Sequence, residues 1–161
     1  MIFVTLGSQK FQFNRLLKKL DELCEKGSVQ ESIYAQTGAS DYIPKNYEFG
    51  KFLNRNEFQH YMNKCDTVIT HGGTGAIITA VKLRKKVIAV PRLAKYGEHV
   101  DDHQIQLIKQ FDGMNLIMPC YDIEELDIKL KQLKDCTFSE YQSNTNVIIQ
   151  DIRDYLGGCD I

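Results

Sequence analysis

No apolar run in this 161-residue chain approaches the roughly 18 residues that a membrane span requires. The opening stretch, Met1 to Phe11, has no basic cluster and no small-residue cleavage site, so it reads as a buried strand and not as a leader. The five cysteines (Cys24, Cys65, Cys120, Cys136, Cys159) are odd in number and form no C-x-x-C pair. That excludes a zinc ribbon and a disulfide framework as first readings and points to reduced thiols in a cytosolic protein. Charge of neither sign is in excess: 20 Lys plus Arg against 21 Asp plus Glu leave a net charge of -1. Such a balance supplies no field to gather nucleic acid or anionic lipid. Three motifs are also missing. There is no G-x-G-x-x-G, no G-x-x-x-x-G-K-[ST] and no G-x-S-x-G, which disfavours a dinucleotide enzyme, a P-loop NTPase and an α/β-hydrolase in turn.

What is present is an ordinary globular composition, 43% hydrophobic and 25% charged, in a length that suits one domain. A chain of this size buries roughly 70% of its unfolded surface, enough for a core. Ile2 to Leu6 is a β-branched apolar run stopped by Gly7-Ser8. Phe13, Leu16, Leu17, Leu20 and Leu23 recur at helical spacing, with Gly27 at the cap position. Ser32 to Gln36 and Tyr47 to Leu53 read as strands and Glu57 to Asn63 as a short helix. Thr67 to Thr70 is a strand leading into a helix of Thr74 to Leu83, and Val87 to Val90 is a strand ended by Pro91. Ile105, Ile108 and Phe111 mark another helix, and Asn115 to Met118 a last strand. Asp122 caps a helix of Ile123 to Leu133. A terminal helix over 138–156 presents Ile148, Ile152, Tyr155 and Leu156 on one side. Strands alternate with helices and most are continuously apolar, which predicts an open, mostly parallel sheet with helices on both faces, a single Rossmann-like α/β domain over 1–161. Ligands of such sheets bind at the carboxyl ends of the strands.

Three segments that follow strands could carry chemistry. His71-Gly72-Gly73-Thr74-Gly75 runs from a strand through a glycine turn into a helix. Glycines let the backbone approach a ligand, and a helix start offers free N–H groups and positive potential, so the pattern suits a phosphate. Thr74 adds a hydroxyl and could be the N-cap. A tight turn with no ligand is the competing reading. Gly7-Ser8 could add N–H groups beside it. In the third segment Arg92 could pair with a diphosphate or simply be solvated. Asp102-His103-Gln104 could hydrogen-bond sugar hydroxyls, or Asp101 or Asp102 could cap a helix. His99 and His103 are four apart, but no third ligand accompanies them, so no metal is expected.

In order and spacing, Phe3 to Gln9, Thr70 to Ala76, Val90-Pro91-Arg92 and Glu98 to Gln104 resemble the PssE-type exopolysaccharide glycosyltransferase subunits. They are similar also to the catalytic subunit of the eukaryotic two-part enzyme that adds the second N-acetylglucosamine to a dolichol-linked sugar, and to the C-terminal half of MurG-like enzymes. The resemblance implies one half of a GT-B glycosyltransferase that binds a UDP-sugar, with Gly7, Ser8, His71, Gly72, Gly73, Thr74 and Gly75 around the diphosphate and His103 and Gln104 at the sugar. It implies a metal-free inverting transfer of galactose or N-acetylglucosamine to a lipid-linked acceptor. That acceptor would be held by a separate membrane-anchored subunit, which would keep this cytoplasmic chain at the membrane. Many relatives carry a glutamate eight residues after the first histidine of the turn; here that residue is Thr79, so Glu98 is the candidate for the ribose. No carboxylate is an obvious base for the acceptor hydroxyl, which leaves His71 or the partner. Two rivals stand beside this reading: a non-catalytic UDP-sugar-binding or regulatory subunit, and a stand-alone α/β enzyme of another class.

Overall fold

The structure is a computed structural model and describes residues 1–143. Six strands, β1 (Ile2–Thr5), β2 (Ile33–Gln36), β3 (Glu48–Gly50), β4 (Thr67–Thr70), β5 (Lys86–Ala89) and β6 (Met118–Pro119), form one sheet in the order β3-β2-β1-β4-β5-β6, and every pairing is parallel. Among the described residues four helices connect strands, α1 (Asn14–Glu25), α2 (Arg55–Lys64), α3 (Thr74–Lys82) and α4 (His103–Gly113), and α5 (Leu126–Leu133) follows β6.

Parallel strands need crossovers, and the crossovers cover both faces of this sheet. Successive side chains of a strand point to opposite sides, and β1 shows the result. Ile2 and Val4 join Leu16, Leu17 and Leu20 of α1 and Leu126 and Leu133 of α5 in one core. Phe3, between them, joins Met62 of α2, Ile77 and Ala80 of α3 and Ile108 of α4 in the other. Each fully buried Leu, Ile or Phe of this kind contributes about 1.5–3 kcal/mol, so the mostly apolar central strands follow from two covered faces. Among the described residues no helix is long and apolar enough to cross a membrane.

The expected elements are present with shifted ends. α1 closes through Gly27, whose φ of 71 is left-handed, and the N–H of Ser28 donates to the carbonyl of Leu23. α2 starts two residues earlier than the apolar spacing indicates. Asn54 caps it, accepting from the N–H of Glu57 at 3.0 Å, while the Glu57 carboxylate accepts from the N–H of Asn54 at 2.8 Å. Asp122 accepts from the N–H of Glu124 at 3.0 Å and begins a short 3-10 turn before α5. The last strand needs correction. Asn115 takes a φ of 53 and closes α4, with its N–H on the carbonyl of Asp112, so the strand spans only Met118–Pro119. Pro119 is tolerated there because β6 is an edge strand. Residues 138–143 hold no helix: Phe138 packs on one core and Tyr141 on the other. The rest of the expected terminal helix, with Ile148, Ile152, Tyr155 and Leu156, lies outside the described residues.

Candidate functional site

The central strands β1 and β4 pair with Thr5 opposite Thr70, so the chain leaves both of them side by side. Gly7 and Gly72 then turn away with φ of 72 and 84, a region that only glycine enters without strain. The close approach is real in each case. A β-carbon on Gly72 would stand 2.9 Å from Cδ1 of Ile108, and one on Gly7 would stand 2.8 Å from Cε1 of His71.

His71 is wedged into this turn, 7% exposed. Its Nδ1 lies 3.4 Å from the carbonyl oxygen of Thr5 and 3.4 Å from Oγ1 of Thr70. A carbonyl only accepts, so Nδ1 carries the proton, and in the neutral ring Nε2 presents a lone pair. The Cε1–Nε2 edge lies between Gly7 and Gly73. Burial first, and then the Arg92 guanidinium, push the imidazole pKa down to about 4, against a smaller upward pull from the Thr5 carbonyl. His71 is therefore neutral near pH 7.

α3 begins at once after this turn. The expectation that Thr74 caps it is corrected: Gly73 is the N-cap, makes no side-chain cap bond, and Thr74 is the first helical residue. No acidic residue stands in the first turn, and Thr74 and Gly75 are exposed. The first N–H groups of α3 thus have no side-chain acceptor at the cap, and they carry the positive end of the helix dipole. They open on a cavity of ≈ 530 Å³ whose lining includes Gly7, Ser8, His71, Gly73, Thr74 and Gly75.

The other expected residues lie elsewhere. Gly72 and Gln104 form the wall behind the turn: a β-carbon on Gly72 would meet Cβ of Gln104 at 3.6 Å, and Oε1 of Gln104 accepts from the N–H of Arg92 at 3.0 Å. His103 is exposed on the first turn of α4, outside the cavity lining, with its N–H donating to Asp101 at 3.0 Å. Asp102 accepts from the N–H of Ala94 at 2.8 Å instead of capping α4. His99 holds Asp101 at 3.1 Å, and among the described residues no cluster of three His, Cys, Asp or Glu could bind a metal.

Arg92 is neither a solvated arginine nor a cavity-lining one. It is 0% exposed and its Nη2 donates to the carbonyls of Leu6 at 2.7 Å and Phe11 at 3.1 Å, closing the loop between β1 and α1 like a clasp. Its Nε and Nη1 have no acceptor among the described residues, and burial lowers its pKa to about 10 in spite of Glu98. Glu98 is 1% exposed and fully engaged. It receives Nε and Nη2 of Arg15, both at 2.9 Å, and the N–H of Leu93 at 2.9 Å. It does not line the cavity; it is a strut that ties α1 to the loop after β5. Thr79, at the position of the missing glutamate, turns its hydroxyl back to the carbonyl of Gly75 at 2.7 Å.

The cavity also contains residues that pattern reading passed over. Thr5 donates to Oε1 of Gln36 at 2.9 Å on its floor, and Gln9, Asn54 and Arg55 stand around it. Arg55, exposed at the start of α2, lines it, and Arg92 does not; among the described residues Arg55 is the cation of the lining. The capping box at Asn54 was a signal for the start of α2, but only the strand order brings that start to the cavity.

Comparison with known proteins agrees with this architecture. A "UDP-N-acetylglucosamine transferase subunit ALG13" of Debaryomyces hansenii is 29% identical over 110 residues, which are 68% of this chain and 48% of that protein. The chain thus spans about half the length of that curated relative. Among solved structures, the MurG of Acinetobacter baumannii superposes with a TM-score of 0.58 at 16% identity, over 83% of this chain and 40% of MurG. A solution structure of ALG13 gives 0.58 at 16%, over 94% of this chain and 93% of the other. These likenesses show the fold, that of the C-terminal domain of GT-B glycosyltransferases. The family described as "Glycosyltransferase family 28 C-terminal domain" matches residues 1–155, and the chain belongs to it.

Proposed function

We propose that residues 1–161 form the donor-binding domain of a two-component inverting glycosyltransferase. It takes UDP-N-acetylglucosamine and passes the sugar to a lipid-linked acceptor held by a second, membrane-anchored polypeptide at the cytoplasmic face. The observation that carries this reading is the α3 N-terminus without a side-chain cap, beside a histidine enclosed by two glycines, in one cavity with Arg55. Preorganised N–H groups and a cation aimed at a leaving diphosphate stabilise the charge that develops as the glycosidic bond breaks, with no metal required. N-acetylglucosamine leads because of what the Debaryomyces relative is named for. Galactose is the alternative, and the PssE-type kinship belongs to the same reading.

Among the described residues no Asp or Glu lines the cavity. Nothing there accepts the proton of an acceptor hydroxyl except His71, which is buried with Nδ1 committed. This favours a base in the partner. It also gives weight to the second reading, a UDP-sugar-binding subunit whose partner holds all reacting groups. The test is calorimetric titration of the purified chain with UDP-N-acetylglucosamine, UDP-galactose and UDP-glucose in the presence of chelator. Binding is expected, tightest for the first and lost in Gly73→Asp, which puts a carboxylate at the phosphate position. Absence of binding to all three overturns the proposal.

A further inference from the structure

We infer that donor binding is coupled to protonation of His71: as the diphosphate settles on the α3 N-terminus, the imidazole takes one proton from solvent onto Nε2 and holds the anion as an imidazolium. This rests on the donor-site reading above and adds to it a proton that the free protein does not carry.

The geometry leaves the ring few alternatives. Its Cε1–Nε2 edge is enclosed by the backbone of Gly7 and Gly73, at distances where a β-carbon would stand 2.8 Å and 2.5 Å from the ring. Turning the ring over would take Nδ1 off the Thr5 carbonyl, 3.4 Å away. In the neutral ring Nε2 therefore offers a lone pair in a cavity built for an anion. A lone pair facing a phosphate oxygen is repulsive, and one added proton turns the same contact into a charge-assisted hydrogen bond.

The charges around the ring explain why the proton is absent beforehand. Arg92 acts on it from the loop after β5, and His99, more weakly, from the same loop. Arg55 lines the cavity from α2, while Lys10, in the loop after β1, lies over the Phe11 ring at 6.0 Å. The first turn of α3 holds no acidic residue. Of the nearby carboxylates, Glu98 is taken up by Arg15 and Leu93 and acts on Arg92, and Glu57 closes the start of α2; among the described residues neither lines the cavity. The free imidazole is held down to about 4, and a bound diphosphate brings negative charge against a ring flanked by cations. An opposite charge at contact distance favours the protonated form. Between the pKa of the free ring and the higher one of the bound ring, affinity then strengthens about tenfold for each unit by which pH falls.

The experiment uses UDP-N-acetylglucosamine as probe. Its diphosphate is esterified at both ends, whereas the terminal phosphate of UDP would itself titrate at about pH 6. Calorimetric titration at pH 5.5 in two buffers of different ionisation enthalpy is expected to show about one proton taken up per site, and the Kd is expected to weaken as pH rises towards 8. His71→Gln offers a permanent N–H donor near the place of Nε2; it is expected to bind with no proton uptake and a flat pH profile. Imidazole nitrogen shifts of the wild-type chain, free and bound, supply a readout independent of the variant. Binding without proton uptake and with a flat Kd overturns the inference and leaves the donor site standing. Proton uptake that persists in His71→Gln, or an imidazole that stays neutral when bound, also overturns it. No binding at any pH removes the donor-site reading and this inference together.

Discussion

A β-carbon on Gly73 would stand 2.5 Å from Nε2 of His71, closer than real Cβ contacts come. The φ of Gly73 is -69, open to any residue, so the requirement for glycine there comes from the ring alone. Gly73→Ala is expected to displace the imidazole. Its cost to folding is about 1–3 kcal/mol, as for other overpacked sites, while donor affinity falls by at least about tenfold, because donors must be placed to within about 0.5 Å. Urea unfolding and calorimetric titration of the same variant separate the two effects.

The neutral imidazole has a consequence for stability in the free protein. Its folded pKa of about 4 lies below the ordinary 6.5, so the unfolded chain takes up the proton first as pH falls. His71 is thus at no disadvantage above about pH 6.5 and costs progressively more stability down to about pH 4, reaching about 3 kcal/mol. His71→Gln is expected to remove this part of the acid sensitivity. Urea midpoints at pH 7 and pH 4.5 in both proteins check it; equal losses would refute it.

Glu98 divides structure from binding. Glu98→Ala strips the acceptor from Arg15 and from the N–H of Leu93 and is expected to cost about 3 kcal/mol. Donor affinity of the folded fraction is expected to change by less than about threefold. A large loss of affinity at full stability would instead support a ribose role for Glu98.

Arg55 behaves in the opposite way. It is exposed, so Arg55→Ala is expected to leave the unfolding midpoint within about 0.5 kcal/mol of wild type. Donor binding is expected to weaken by about tenfold, since a hydrogen bond from a charged donor to phosphate contributes about 1.5 kcal/mol or more. Titrations at low and high salt should show a smaller salt effect in the variant, because one screened contact has gone.

The sheet was readable because parallel strands covered on both faces write themselves as apolar runs, and the glycine turn because close packing excludes side chains. What stayed illegible depends on contacts across the sheet. An arginine directly after a strand looks like a ligand for phosphate. Only when the chain closes does Arg92 meet the carbonyl of Leu6, 86 residues away, and Glu98 meet Arg15, 83 residues away. Arg55 was missed for the converse reason: nothing in its neighbours says that β3 lies two strands from β1. β6 was misplaced because Leu116, Ile117 and Met118 form an apolar run that reads as a strand from its first residue, while the left-handed φ of Asn115 just before it closes α4 and leaves only Met118–Pro119 to pair.

The two helices that begin at the cavity are finished differently. α2 closes its start with its own Asn54 and Glu57, whereas Gly73 leaves α3 with no such closure. A nucleotide diphosphate in that place would complete the first turn of α3, and occupancy would be legible far from any sugar chemistry: the amide protons of Thr74, Gly75 and Ala76 would exchange with solvent more slowly with the donor present, while those of Arg55, Asn56 and Glu57 would exchange at much the same rate with or without it.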